Sequence, residues 1–120
     1  MPKSHHLQYT YVKRAAELGL IEAQHNLGVM YLQGAEVEAK QPPVKDEVKA
    51  LSWFLKASNR GYFESTVNAI QILSKGTACG TIPANKIAAK LLLTKAKKSR
   101  PNAKIERIEK LVDSIGQTTS

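Results

Sequence analysis

Cysteine occurs once in this chain of 120 residues, at Cys79. No internal disulfide can form, so packing has to hold the fold, and a lone thiol suits a reducing compartment. Long apolar runs are missing too. The longest, Ile87 to Leu93, is broken by Lys90 and falls far short of the ~20 residues that span a bilayer. No apolar leader opens the chain. A soluble intracellular protein is expected, in the cytoplasm or an organelle. Aromatic residues number seven, with none after Phe63, and acidic side chains are outnumbered ten to eighteen, for a formal charge of +8.

Catalytic signatures are also absent. There is no Gly-x-Ser-x-Gly elbow, no phosphate loop ending in Gly-Lys-Ser/Thr and no His-Glu-x-x-His helix. Cys79 sits in a glycine-bounded loop, but the possible bases His5, His6 and His25 all lie near the amino end, and a stack of repeats touches only its neighbours. Adjacent His5 and His6 on a helix point about 100° apart and chelate poorly. No catalytic residue, cofactor or metal site is assigned, and the chain is read as non-enzymatic.

What the chain does have is internal repetition. Gly19, Glu22, Asn26 and Gly34 recur forty-two positions later as Gly61, Glu64, Asn68 and Gly76, and Tyr11, Val12 and Arg14 recur as Trp53, Phe54 and Lys56. A weaker third copy follows at a spacing of thirty-nine, where Ala89 to Ala96 falls on Ala50 to Ala57. A period between ~20 and ~50 residues marks stacked repeats, and three copies are about the minimum for a stable stack. The expected fold is an all-α solenoid of three two-helix units, one domain over residues 1–120. The units run at about 5–34, 46–76 and 84–116, with an inserted loop at 35–45 and helices near 5–18, 22–33, 46–60, 64–75, 84–98 and 102–115. Gly19 and Gly61 supply the sharp turn inside a unit. Asp46 is a candidate N-cap, while Pro83 and Asn85 mark the entry to the fifth helix.

The residues Ala15-Ala16-Glu17-Leu18-Gly19, Ala23-Gln24, Leu27-Gly28-Val29-Met30-Tyr31 and Gly34, then Asp46, Ala50, Trp53, Lys56 and Ala57, resemble the Sel-one-like repeat, a relative of the tetratricopeptide repeat. The resemblance covers roughly residues 9 to 96. The loop after Gly34 is longer than the family's, and Ala69 and Ile70 replace Leu27 and Gly28 in the second unit, which predicts wider helix spacing there. The resemblance implies a protein-binding adaptor or scaffold that takes a helix or extended peptide in its groove. In tetratricopeptide-like folds the first helix of each pair lines that groove. This places candidate partner contacts at Lys49, Ser52, Lys56, Lys90 and Lys95, together with Pro42 and Pro43 of the insert. Arg14, Lys56 and Lys95 share one repeat position, where a cation suits the helix carboxyl end. Tyr11 and Trp53 are expected in the inter-helix core.

Charge offers the alternative. Residues 76–120 hold nine basic and three acidic side chains. Lys97, Lys98, Arg100, Lys104 and Arg107 form a candidate basic patch, which would suit a structural subunit of a ribonucleoprotein such as an organellar ribosome. A lysine-rich terminal repeat kept soluble by its charge is the preferred reading, because the third unit lacks the aromatics that stack bases. Both ends of the stack read as open, which leaves homotypic association available.

Overall fold

Two capping side chains and a set of turn glycines set the helix boundaries. Asp46 accepts a hydrogen bond from the Lys49 backbone N–H, and Asn85 accepts one from that of Ala88, each satisfying an otherwise orphaned donor. Gly19 and Gly61 turn the chain at φ +99° and +91°, a region costly for residues with a Cβ.

The computed structural model describes residues 5–37, 42–77, 81–101 and 105–115, with side chains from Leu7 onward. The helices are α1 (His5–Glu17), α2 (Ile21–Gln33), α3 (Glu47–Asn59), α4 (Phe63–Lys75), α5 (Lys86–Ser99) and α6 (Glu106–Asp113). These follow the sequence expectation closely, with two differences. Helix α5 starts two residues late because Asn85, rather than Pro83, provides the cap. The expected start of α6 falls partly on 102–104, outside the described residues, and the helix proper begins after Ile105.

Each helix packs on the next in chain order, most extensively α2 on α3 and α4 on α5, and α4 also touches α6. The stack measures 48 × 34 × 22 Å with a radius of gyration of 15.4 Å. A compact domain of this length would have about 13.6 Å, so the molecule extends along the stacking axis. A continuous core runs through all three units, including Tyr9, Leu27, Tyr31, Phe54, Ile70, Leu73, Leu93 and Val112.

Gly28 lets α2 and α3 meet closely. A Cβ there would lie 2.7 Å from the ring of Phe54, which is fully buried. In the next unit Ile70 and Leu93 stand at these two register positions, so bulk moves from one helix to the other. The long loop leaves α2 through an antiparallel bridge between Ala35 and Val44, whose two hydrogen bonds are 2.8 and 2.7 Å. Asp46 N–H then donates to the Tyr31 carbonyl at 2.8 Å and brings the chain back onto α2. No helix among the described residues is long and apolar enough to cross a membrane.

Candidate partner-binding surfaces

Lys49, Ser52 and Lys56 are exposed and lie on the side of α3 opposite Phe54, so they share one solvent face. Two of these cations rest on aromatic rings. Lys56 Nζ stands 4.3 Å from the Trp53 ring centroid and Lys49 Nζ 5.5 Å from that of Tyr31. On α5 the candidates diverge. Lys90 is exposed, whereas Lys95 is half-buried and donates to Asn59 Oδ1 at 3.4 Å. Five helical residues separate the two by about 140° around the axis. Pro42 and Pro43 are exposed on the returning limb of the loop. Pro43 lines a cleft of about 240 Å³ with Gln8, Met30, Gly34, Ala35 and Glu36. The expected aromatic column splits. Trp53 is half-buried, but Tyr11 is 73% exposed, because the place occupied by α2 beside Trp53 is filled by no described element beside Tyr11.

In the third unit much of the positive charge is spent locally. Lys97 pairs with Glu109 at 3.0 Å. Arg100 pairs with Glu64 at 3.6 Å and lies over the Phe63 ring at 4.7 Å, tying the third repeat to the second. Lys98 and Arg107 are exposed, and Lys104 lies outside the described residues.

Three features were not foreseen from the sequence. A cleft of about 160 Å³ opens between α2 and α4, lined by Leu32, Asn68, Gln71, Ile72 and Lys75, with Glu47 and Gly76 at its margin. The recurrence of Asn26 as Asn68 was its one available signal, and the repeat pattern absorbed it. At the other end of α2, Tyr9 and Tyr31 hydroxyls meet at 2.7 Å with their rings edge to face. Burial, then the hydrogen bond from Tyr9, push the Tyr31 phenol well above its ordinary value. Finally, His25 Nδ1 lies 2.7 Å from Ser65 Oγ, with its ring 4.9 Å from Tyr62 and 5.5 Å from Phe54. Burial holds its pKa below the usual imidazole value, against an opposing pull from Glu64. A serine–histidine pair invites a nucleophilic reading, but Ser65 is fully buried and no substrate atom can reach its hydroxyl. The pair joins α2 to α4. Cys79, the other nucleophile of the sequence, lies outside the described residues. Among the described residues no group of three or more His, Cys, Asp or Glu side chains could hold a metal ion.

The Sel1 repeat family matches residues 21–62 and 69–99, more than half of the chain. The chain belongs to that family. Its fold is also that of a Sel1 repeat protein from Oxalobacter formigenes, whose crystal structure superposes with a TM-score of 0.69 at 23% identity, covering 82% of this chain and 37% of that one. The chain thus spans little more than a third of that protein. No curated protein matches it. The matched Sel1 segments begin with α2 and near the middle of α4, so the family's unit pairs α2 with α3 and α4 with α5. These are the two most extensive helix contacts. In this phase α2 and α4 are the first helices of their units, while Lys49, Ser52, Lys56, Lys90 and Lys95 ride on the second helices.

Proposed function

We propose that this Sel1 repeat chain is a non-catalytic adaptor that binds an extended segment of a partner protein along the row formed by α2 and α4. The observation that carries this reading is the cleft between those helices. Leu32 provides an apolar wall, while the Asn68 and Gln71 amides can donate to and accept from a peptide backbone, and Lys75 and Glu47 add charge of both signs. The even-numbered helices touch along this row, through His25 and Ser65 between α2 and α4 and by packing of α4 on α6. Closer approach on one side is what the inner side of a curved stack requires. Pro42 and Pro43 extend the surface beside α1 and α2, and the strip of Lys49, Ser52 and Lys56 offers a second contact on α3.

The ribonucleoprotein alternative draws on Lys98 and Arg107, but the offset of Lys97 and Arg100 by carboxylates weakens it. The deciding experiment is recovery of partners on the tagged chain with and without nuclease at two salt concentrations, with bound proteins identified by mass spectrometry. Wild type would be set beside Asn68→Ala/Gln71→Ala, Lys49→Glu/Lys56→Glu and Lys97→Glu/Lys98→Glu. The adaptor reading expects a protein that survives nuclease and is lost with the paired amides. Collapse of the recovered set on nuclease treatment, with steep salt dependence and loss in the Lys97/Lys98 variant, would replace it with phosphate binding.

A further inference from the structure

The three odd-numbered helices share a register, and two of them show what one flank of that register does. On α3 the flank runs through Ala50, Trp53, Ala57 and Arg60 and packs on the preceding unit. Lys49 at its edge reaches the Tyr31 ring, and Arg60 donates to the Gly19 carbonyl. On α5 the matching residues Ala89, Leu92 and Ala96 are buried or half-buried against α4, and Arg100 reaches back to Glu64. Moved back by one repeat, the flank becomes Gln8, Tyr11, Ala15 and Leu18 of α1, with Leu7 at the place of Lys49. Here it faces solvent. Tyr11 is 73% exposed, Leu18 80%, Leu7 52% and the neighbouring Leu20 59%. A cluster of large apolar side chains this exposed marks an interaction surface.

Two details indicate what covers it. First, the cations with which α3 grips the unit before it, Lys49 and Arg60, are replaced on α1 by Leu7 and Leu18, so the flank has lost the groups that recognise a preceding repeat through its ring and carbonyl. Second, Leu7, Tyr11, Arg14 and Leu18 follow the four-three-four spacing of a heptad seam. That spacing is symmetric about a point between Val12 and Lys13. An antiparallel twofold pairing therefore sets Leu7 on Leu18 of the second copy and Tyr11 on Arg14 of the second copy, leucine against leucine and a guanidinium against an aromatic ring. Head-to-tail stacking fits poorly. At the far end Glu109 occupies the register of Gly28 and Ile70 and is held by Lys97, while Glu106, Arg107, Lys110 and Asp113 are exposed on α6. Covering that end would desolvate charge.

We propose that the exposed flank of α1 is the contact of a twofold dimer of this chain, built on antiparallel α1 helices. Sedimentation equilibrium on the full chain is the test. The patch is smaller than the ~800 Å² per partner of a standard interface, so the mass should rise from 13.2 kDa toward twice that value with a dissociation constant of about 10–100 µM. Leu18→Glu alone and Leu7→Lys alone should each weaken association at least ~10-fold. The double variant L7K/L18E sets the two new charges opposite each other across the axis and should return to within ~3-fold of wild type. A chain that stays monomeric to the highest concentration would assign the flank to another protein or a further repeat and overturn the proposal. So would a dimer untouched by Leu18→Glu, or a double variant no tighter than the single ones.

Discussion

Replacing Gly28 by alanine tests the packing between the repeats most directly. The new methyl carbon would stand 2.7, 2.8 and 3.0 Å from three atoms of the Phe54 ring, where carbon atoms normally rest about 3.5–4.0 Å apart. Close to 1 Å has to be found. Phe54 is fully buried between α2 and α4, so the ring has no solvent to move into, and α2 and α3 have to separate. Overpacking of this kind costs about 1–3 kcal/mol. Alanine is the better helix former by about 1 kcal/mol, which offsets part of it. A net loss of about 1–2 kcal/mol is expected, read as a lower urea midpoint at unchanged slope. The companion variant Phe54→Leu leaves a void, yet in combination Gly28→Ala should fill it, as Ile70 and Leu93 do in the next unit. The double mutant should then be more stable than the sum of the singles by about 1 kcal/mol or more. If Gly28→Ala is neutral or stabilising, the helices are free to move apart and close approach at this glycine does not hold the repeats in place.

Three further outcomes are expected. Gly76→Ala should destabilise more than Gly61→Ala. Both glycines have positive φ, +77° and +91°, and cost about 1–2 kcal/mol in strain, but at Gly76 the added carbon also meets backbone of Ala84 at 2.9 Å, whereas at Gly61 nothing lies within 4 Å; equal urea midpoints would contradict this. Tyr9→Phe should cost about 1–3 kcal/mol because it strips the buried Tyr31 hydroxyl of its 2.7 Å partner, and Tyr9→Phe/Tyr31→Phe should recover much of that loss in thermal denaturation. Stability should fall as pH drops below about 6.5, since His25 is held neutral in the fold and the unfolded chain binds the proton more readily. The fall should be smaller in His25→Phe, and identical pH profiles would remove His25 from the explanation.

The periodic placement of glycine, small and aromatic residues was enough to read the six helices and their turns, because a helical hairpin needs a turn residue and an apolar stripe whatever surrounds it. The Asp46 cap and the glycine turns were legible for the same reason. Candidate sites were less legible. The lysines of α3 and α5 stood out because charge is visible in a sequence, yet Lys97 and Arg100 prove to be answered by Glu109 and Glu64, which lie twelve and thirty-six residues away. The α2–α4 cleft went unseen because its polar side chains are ordinary amides, and their meeting with Leu32 depends on how one unit sits on the next.

A repeat also fixes a residue's place within its unit without saying where the unit begins. Counting from α1 put the lysine-bearing helices first, while the family's count from α2 puts the cleft-forming helices first. The chain by itself determined the period, the helices and the turns, since these follow from local backbone preference and from spacing along one helix. Tertiary structure alone decided which flank of each helix has a neighbour. Tyr11 and Trp53 hold the same repeat position, but one is exposed and the other packed, because burial is a property of what lies across the interface and not of the residue's own place in the pattern.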